Sequence, residues 1–225
     1  TGGSLMIKEI LGYPVYICSI ENPQKALNEI QHCIDNTNAR DPSEDWNAEC
    51  ITTSSHGHGC EIEGKVIKFD YIFSELNKHI DIFTKKLGIK CKFTYNICLD
   101  RSCQELHNDS WINIYNKGHY QDDHFHMIDE DDEEYEGHPP SYFSFTYFAK
   151  YDPEKDGRFT FVDPSPAPVL FKKWSNSCKY FKRDIVPDIK EGDLMIFPGH
   201  MVHKVTQQSV NGPRITFSGN FYQEK

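Results

Sequence analysis

Gly192-Asp-Leu-Met-Ile-Phe-Pro-Gly-His-Met-Val-His203 reads as a strand entered through a glycine turn, a Pro198-Gly199 corner, and a second strand carrying His203. Apolar residues run through it without helical spacing, and the turn residues bound it on both sides. Outward from this stretch the same grammar repeats. Strands are predicted over 91–99, 110–115, 120–126, 141–150, 158–162, 193–197, 201–206 and 214–222. Asn116-Lys-Gly118, Asp156-Gly157, Glu191-Gly192 and Asn211-Gly-Pro213 separate them as turns. Eight short strands so spaced imply a mainly β fold, a jelly roll or the related double-stranded β-helix. The 15 Phe and 12 Tyr gather in these short segments, which favours strands.

The first ninety residues read differently. Gly12-Tyr-Pro-Val-Tyr-Ile-Cys18 is a short β-type run. Asn22-Pro23 then precedes a helical pattern with Ala26, Leu27, Ile30 and Ile34 on one face, and Pro23 suits a first helical turn. A polar stretch over 36–64 predicts a long loop or short strands. Ile72, Phe73, Leu76, Ile80 and Phe83 predict a second helix over 69–87, with Gly88 as its stop. The expected organisation is a single domain over 1–225, with a helical support region (1–89) buttressing a jelly-roll core (90–225).

Bulk properties exclude several classes. A net charge of −10 argues against a protein that tracks nucleic-acid phosphates, which needs a basic face. No apolar run is long enough for a membrane span. Thr1–Leu5 reads as a remnant appended before Met6, and no signal-peptide pattern follows. The 8 cysteines show no CxxC pair and no zinc-finger spacing, so they read as reduced, mostly buried thiols of a cytosolic protein. A Cys50–Cys60 bridge is the alternative. Asp129-Glu-Asp-Asp-Glu-Glu-Tyr-Glu136 repels itself and reads as a solvated loop.

The chemistry gathers in two histidine clusters. Residues two apart on a strand point the same way, so His124 and His126 share a face, together with Asp122. His203 supplies a distant third imidazole, and Arg214 follows it on the next strand. Three such ligands make one face of a metal site, and a guanidinium offers a two-pronged fork to a carboxylate.

In their order along the chain, these segments resemble the Fe(II)/2-oxoglutarate-dependent oxygenases, most of all the prolyl-4-hydroxylase-like branch of bacterial and phage type. The matching stretches are Trp111-Ile-Asn-Ile-Tyr-Asn-Lys-Gly118, Tyr120-Gln-Asp-Asp-His-Phe-His126, Ser144-Phe-Thr-Tyr-Phe-Ala149, Phe161-Val-Asp-Pro164, the 192–203 segment quoted above, and Arg214-Ile-Thr-Phe-Ser-Gly-Asn220. The resemblance implies His124 as first metal ligand and His203 as last. It implies Arg214 and Thr216 as partners of the far carboxylate of 2-oxoglutarate, with Tyr147 and Tyr115 contacting the cosubstrate. It further implies Fe(II), 2-oxoglutarate and O2 as cofactor and cosubstrates, release of succinate and CO2, and hydroxylation of an unactivated C–H. Cytoplasmic localisation in a bacterium or a phage-infected host is the matching expectation.

One departure stands out. The family reads His-x-Asp/Glu at the first cluster, whereas this chain reads His-x-His. His126 is the expected second ligand; a carboxylate from Asp122 or Asp129, or a site with two protein ligands, are the alternatives, and a pseudoenzyme is the inactive counterpart. A competing reading is a cupin, in which Gly118, His124, His126, Glu130 and Gly137 fit the first motif and Glu130 is a ligand; a third is a binding module that uses the acidic loop. His56-Gly-His58-Gly-Cys60 reads as a flexible loop bordering a substrate channel, with a metal-ligand set as the alternative. His200 reads as facing away from the metal, His138-Pro139-Pro140 as a rigid loop exit, and Trp111 and Trp174 as packing residues, Trp174 in a loop that is alternatively a substrate flank. The expected substrate is a peptidyl residue, proline first, with small molecules open; the net charge favours a neutral or basic one.

Overall fold

A computed structural model describes residues 6–36, 48–52, 61–62, 65–66, 69–97, 107–126, 141–165 and 182–224. Strands β1 (Met6–Ile10) and β2 (Tyr13–Ser19) lead into helix α1 (Pro23–Asn36). Short strands β3 (Ala48–Glu49), β4 (Ile51–Thr52), β5 (Glu61–Ile62) and β6 (Lys65–Val66) precede helix α2 (Asp70–Lys86). Then come β7 (Phe93–Thr94), β8 (Asn96–Ile97), β9 (His107–Asn108), β10 (Ser110–Tyr115), β11 (Tyr120–His124) and β12 (Ser141–Lys150). The chain closes with β13 (Phe159–Val162), β14 (Asp184–Ile185), β15 (Asp193–Pro198), β16 (His203–Val205) and β17 (Arg214–Gln223).

Two antiparallel sheets face each other. The major sheet runs β1-β2-β15-β12-β17-β10-β4, with β7 also paired to β17; the minor sheet runs β14-β13-β16-β11-β3. This is the expected mainly β, jelly-roll architecture. Helices α1 and α2 cover the outer face of the major sheet.

Alternation along the major strands divides the core in two. Outward residues Tyr16, Phe145, Tyr147, Leu194, Ile196 and Phe217 pack against Ile30, Leu76, Ile80 and Phe83 of the helices. Inward residues Val15, Ile17, Phe148, Met195 and Phe197 pack against Phe159 and Phe161 of the minor sheet. Each strand feeds both layers because its side chains alternate.

The helices are capped from different sources. Asn22 Oδ1 accepts the Lys25 main-chain N–H at 3.1 Å, as an N-cap residue does. No side chain of Phe69 can cap α2, and its end is served from the neighbouring helix instead: Glu29 accepts the N–H groups of Tyr71 (2.9 Å) and Ile72 (3.1 Å).

The N-terminal region is more than a helical support. Strand β1, absent from the sequence reading, forms a hairpin with β2, and β2 pairs β15, so this hairpin extends the major sheet. Its two-residue turn is Leu11-Gly12, both with positive φ (53° and 82°), as a type I′ turn requires. Leucine is an unusual residue there, which is why the turn carried no signal. The strand predicted over 91–99 is broken into β7 and β8. Cys18, Cys33 and Cys50 are buried; Cys60, the acidic run 129–136, His56, His58, His138 and Trp174 lie outside the described residues. Among the described residues, no helix is long and apolar enough to cross a membrane.

Candidate metal and carboxylate site

A cavity opens between the sheets, with histidines on the minor-sheet side and Arg214 on the major-sheet side. His124 reaches it through a defect in strand pairing. Gln121 opposes Val205, but His124 opposes His203, so Asp122 and Asp123 together span what Lys204 alone spans on β16. This β-bulge turns Gln121 and His124 inward and leaves both aspartates exposed. Strict alternation predicts Asp122 on the histidine face; the bulge breaks the period, and Asp122 faces solvent instead. Asp123 pairs with Arg183 (3.3 Å) and Lys204 (3.8 Å). Asp129 and Glu130, the other carboxylate candidates, lie outside the described residues.

His126 sits beyond the end of β11. Its N–H donates to Gly199 O at 2.8 Å, and Ser141 Oγ donates to its carbonyl. Gly199 is required at this corner, because a Cβ there would come within 2.9 Å of that same carbonyl. The tether brings the ring back to the two strand histidines. Ring centroids are 5.2 Å apart for His124–His126, 4.2 Å for His124–His203 and 4.9 Å for His126–His203. One ring nitrogen from each lies within 4.8 Å of the others, and this is the group of potential metal ligands among the described residues.

Hydrogen bonds fix which nitrogen each ring offers. His124 Nδ1 lies 2.7 Å from Asp122 O and His203 Nδ1 lies 2.8 Å from Met201 O, so each donates there and keeps a lone pair on Nε2. His126 Nδ1 lies 3.0 Å from Asn220 Oδ1 and does the same. Burial lowers the pKa of all three, that of His126 to about 3, and mutual repulsion adds to the effect for His126 and His203. All three are therefore neutral near pH 7, the form that binds metal. Phe159 stacks on His203 at 5.0 Å and Trp111 leans on His126 at 5.4 Å, giving the trio an aromatic wall.

Arg214 is 0 % exposed, and all three of its guanidinium nitrogens are without a hydrogen-bond partner among the described residues. Its charge lies against aromatic faces, at 4.7 Å from the Tyr115 ring, 5.5 Å from Tyr151 and 5.7 Å from Phe148, with the Tyr115 hydroxyl and the more distant Asp156 carboxylate favouring the charged form. Burial lowers its pKa, yet a guanidinium stays protonated in proteins. A buried cation with five unused donors is costly unless an anion joins it. Thr216 and Ser218 follow on the same face of β17 and also line the cavity. Tyr115 lines it too, its hydroxyl donating to Gln121 Oε1 at 3.0 Å. Three neutral imidazoles and an unpaired buried guanidinium fit a divalent cation beside a carboxylate-bearing ligand.

Tyr147 is not in this cavity. It lies on the outward face of β12, in the helix-side core, and its hydroxyl donates to Pro23 O at 3.4 Å. The neighbouring Thr146 faces inward and lines the site instead. Parity along 143–149 carried that signal, since Phe143, Phe145 and Ala149 share the outward face with Tyr147. His200 stacks edge-on with Tyr13 at 4.6 Å, away from the trio. Asn220 received no role from the sequence, although it falls in phase with Arg214, Thr216 and Ser218.

Residues 109–220 match the family model described as "Putative 2OG-Fe(II) oxygenase". No curated protein sequence matches the chain. Among solved structures, the chain is similar to a prolyl-4-hydroxylase from Pseudomonas putida, with TM-score 0.54 and 12% identity over 100% of this chain and 94% of that one. A prolyl hydroxylase from Trichoplax adhaerens, in complex with a hypoxia-inducible-factor peptide fragment, gives TM-score 0.56 and 11% identity over 98% and 83%. HygX from Streptomyces hygroscopicus, with nickel, 2-oxoglutarate and hygromycin B bound, gives 0.51 and 10% over 92% and 82%. At such identities the likeness is one of fold.

Proposed function

Since the chain belongs, through residues 109–220, to the 2OG-Fe(II) oxygenase family, we propose that His124, His126 and His203 hold its Fe(II) and that Arg214 grips the far carboxylate of 2-oxoglutarate. The observation that carries this reading is the fully buried Arg214, unpaired, in the same cavity as three Nε2 lone pairs. When bound, iron and 2-oxoglutarate supply the oxidation of an unactivated C–H by O2, with succinate and CO2 as co-products.

The chain's own residues bind, orient and exclude water. Arg214 contributes a bidentate fork, and Thr216 a hydroxyl within the same cavity. Phe159 and Trp111 cover His203 and His126, which limits water around them and strengthens electrostatic contacts there. Three neutral imidazoles leave the full double charge of a divalent ion uncompensated, where a carboxylate ligand would cancel one unit. Anionic ligands are held more tightly as a result. The cupin alternative assigns no work to Arg214.

For substrate we propose a peptidyl residue, prolyl first. The prolyl-hydroxylase character of the motif set supports this, and the net charge of −10 favours a neutral or basic peptide. The test is anaerobic titration with Fe(II) and 2-oxoglutarate, watching for a visible charge-transfer band. Oxygen is then admitted with proline-containing basic peptides or free amino acids, and succinate and hydroxylated product are measured. A band, succinate and a peptide mass gain of one oxygen are expected. Absence of both band and succinate overturns the metal and cosubstrate assignment; hydroxylation of small molecules alone overturns the peptidyl one.

A further inference from the structure

His124 and His203 are set by carbonyls two residues back on their own chain segments, Asp122 O and Met201 O. His126 takes its partner from across the barrel, at Asn220 on β17. An amide is two-ended, and its orientation decides the tautomer of the ring. With Oδ1 toward His126, Nδ1 carries the proton and Nε2 is free for a metal. With the NH2 toward His126, Nδ1 accepts, Nε2 carries the proton, and the ligand is lost.

Asp109 decides the orientation. Its carboxylate accepts from Asn220 Nδ2 at 2.7 Å, and a carboxylate can only accept, so the NH2 must face it. Ser144 Oγ donates to Asn220 Oδ1 at 2.8 Å and, as a hydroxyl that can donate or accept, is compatible with this orientation. Tyr222 hydroxyl donates to the same carboxylate oxygen of Asp109. The main chain holds Asp109 against β17: its N–H donates to Tyr95 O at 3.0 Å, and its carbonyl accepts from Asn220 N–H at 3.1 Å. Gly219 permits this approach, since a Cβ there would lie 2.4 Å from Asp109 O.

We propose that Asp109 and Asn220 are positioning residues of the metal centre: Asp109 sets the Asn220 amide, and Asn220 sets the tautomer and plane of His126. This rests on the reading that the three histidines bind the metal. It explains how a histidine serves at the place where the family uses a carboxylate, which has no tautomer to control. Hydrogen-bonding partners of metal histidines matter at the level of about 10- to 100-fold in affinity.

The experiment measures Co(II) affinity of the full chain by calorimetry and the visible Co(II) spectrum, with histidine tautomers read from long-range 15N–1H spectra of the metal-free protein. Asn220→Leu and Asp109→Leu are expected to weaken Co(II) by about 10- to 100-fold. The exchange Asp109→Asn with Asn220→Asp restores a donor facing an acceptor and is expected to recover most of the loss. Wild-type His126 is expected to carry its proton on Nδ1, independently of whether any variant folds. Wild-type binding lost in His126→Ala but unchanged in Asn220→Leu overturns the positioning role while sparing the metal site, as does a wild-type His126 protonated on Nε2. Failure of the wild type to bind Co(II) overturns the metal reading and takes this proposal with it.

Discussion

Strand β17 has two faces that do opposite jobs. Outward, Ile215, Phe217 and Phe221 join the helix-side core. Inward, Arg214, Thr216 and Ser218 line the cavity, and Asn220 reaches His126. Both faces are buried. The outward face is apolar and stabilises the fold by leaving water; the inward face gives up that stabilisation to keep polar groups ready for a ligand. A single residue's parity decides to which task it belongs.

The largest effect should come from the outward face. Phe217→Ala removes a fully buried ring packed against Phe69, Phe73 and Phe145. It should cost about 3–5 kcal/mol of stability in denaturant unfolding. Folded protein that remains should bind 2-oxoglutarate with wild-type affinity. A matching loss of affinity would erase the contrast between the faces.

Arg214→Met should do the reverse. With Fe(II) present, 2-oxoglutarate affinity should fall by about 2–5 kcal/mol, measured by titration of the charge-transfer band. The ligand-free protein should become more stable, by about 1–4 kcal/mol, because an unpaired buried charge has been replaced by a side chain that packs. A drop in ligand-free stability would show that Arg214 serves the fold.

The histidine side should respond to pH. Folded-state pKa values of His124, His126 and His203 lie below the ordinary 6.5, so the unfolded chain binds more protons at acid pH. Stability of the metal-free protein should be fully present above pH 6.5 and decline as pH falls below it toward about 3, the value for His126. Each histidine contributes at most about 1.4 kcal/mol per pH unit. Thermal melts from pH 7.5 to 4.5 measure this, and His203→Gln should flatten the slope; an unchanged slope would mean that other groups carry it. The smallest effect belongs to Ser218→Ala, which removes a hydroxyl 3.2 Å from Thr146 Oγ1. Stability should change by about 1 kcal/mol in unfolding experiments.

Parity also explains what was legible in the sequence. The strands at 110–115 and 141–150 have the bounds that the sequence predicts, because runs rich in aromatic and β-branched residues lie between clear turns. The same rule, applied to Tyr147, would have sent it to the helices. It failed at Asp122 for a different reason: a bulge inserts one residue without any Gly or Pro to announce it. Strand β1 was invisible because Lys8-Glu9 interrupts its apolar run and Leu11 is no turn former. The Asn220–Asp109 pair spans 111 residues, and nothing local in either residue announces a contact so distant in sequence.

The Leu11-Gly12 hairpin has a practical outcome. At that end of the major sheet β1 is the outermost described strand, and β2 behind it carries Val15, Tyr16, Ile17 and Cys18 in one unbroken apolar run. Lys8 and Glu9 give the rim charge of both signs, which discourages another molecule from adding a strand. Proteolytic clipping between Ile10 and Gly12 that released β1 would strip away this guard and lay bare the edge of β2 as a β template, so self-association should accompany loss of β1.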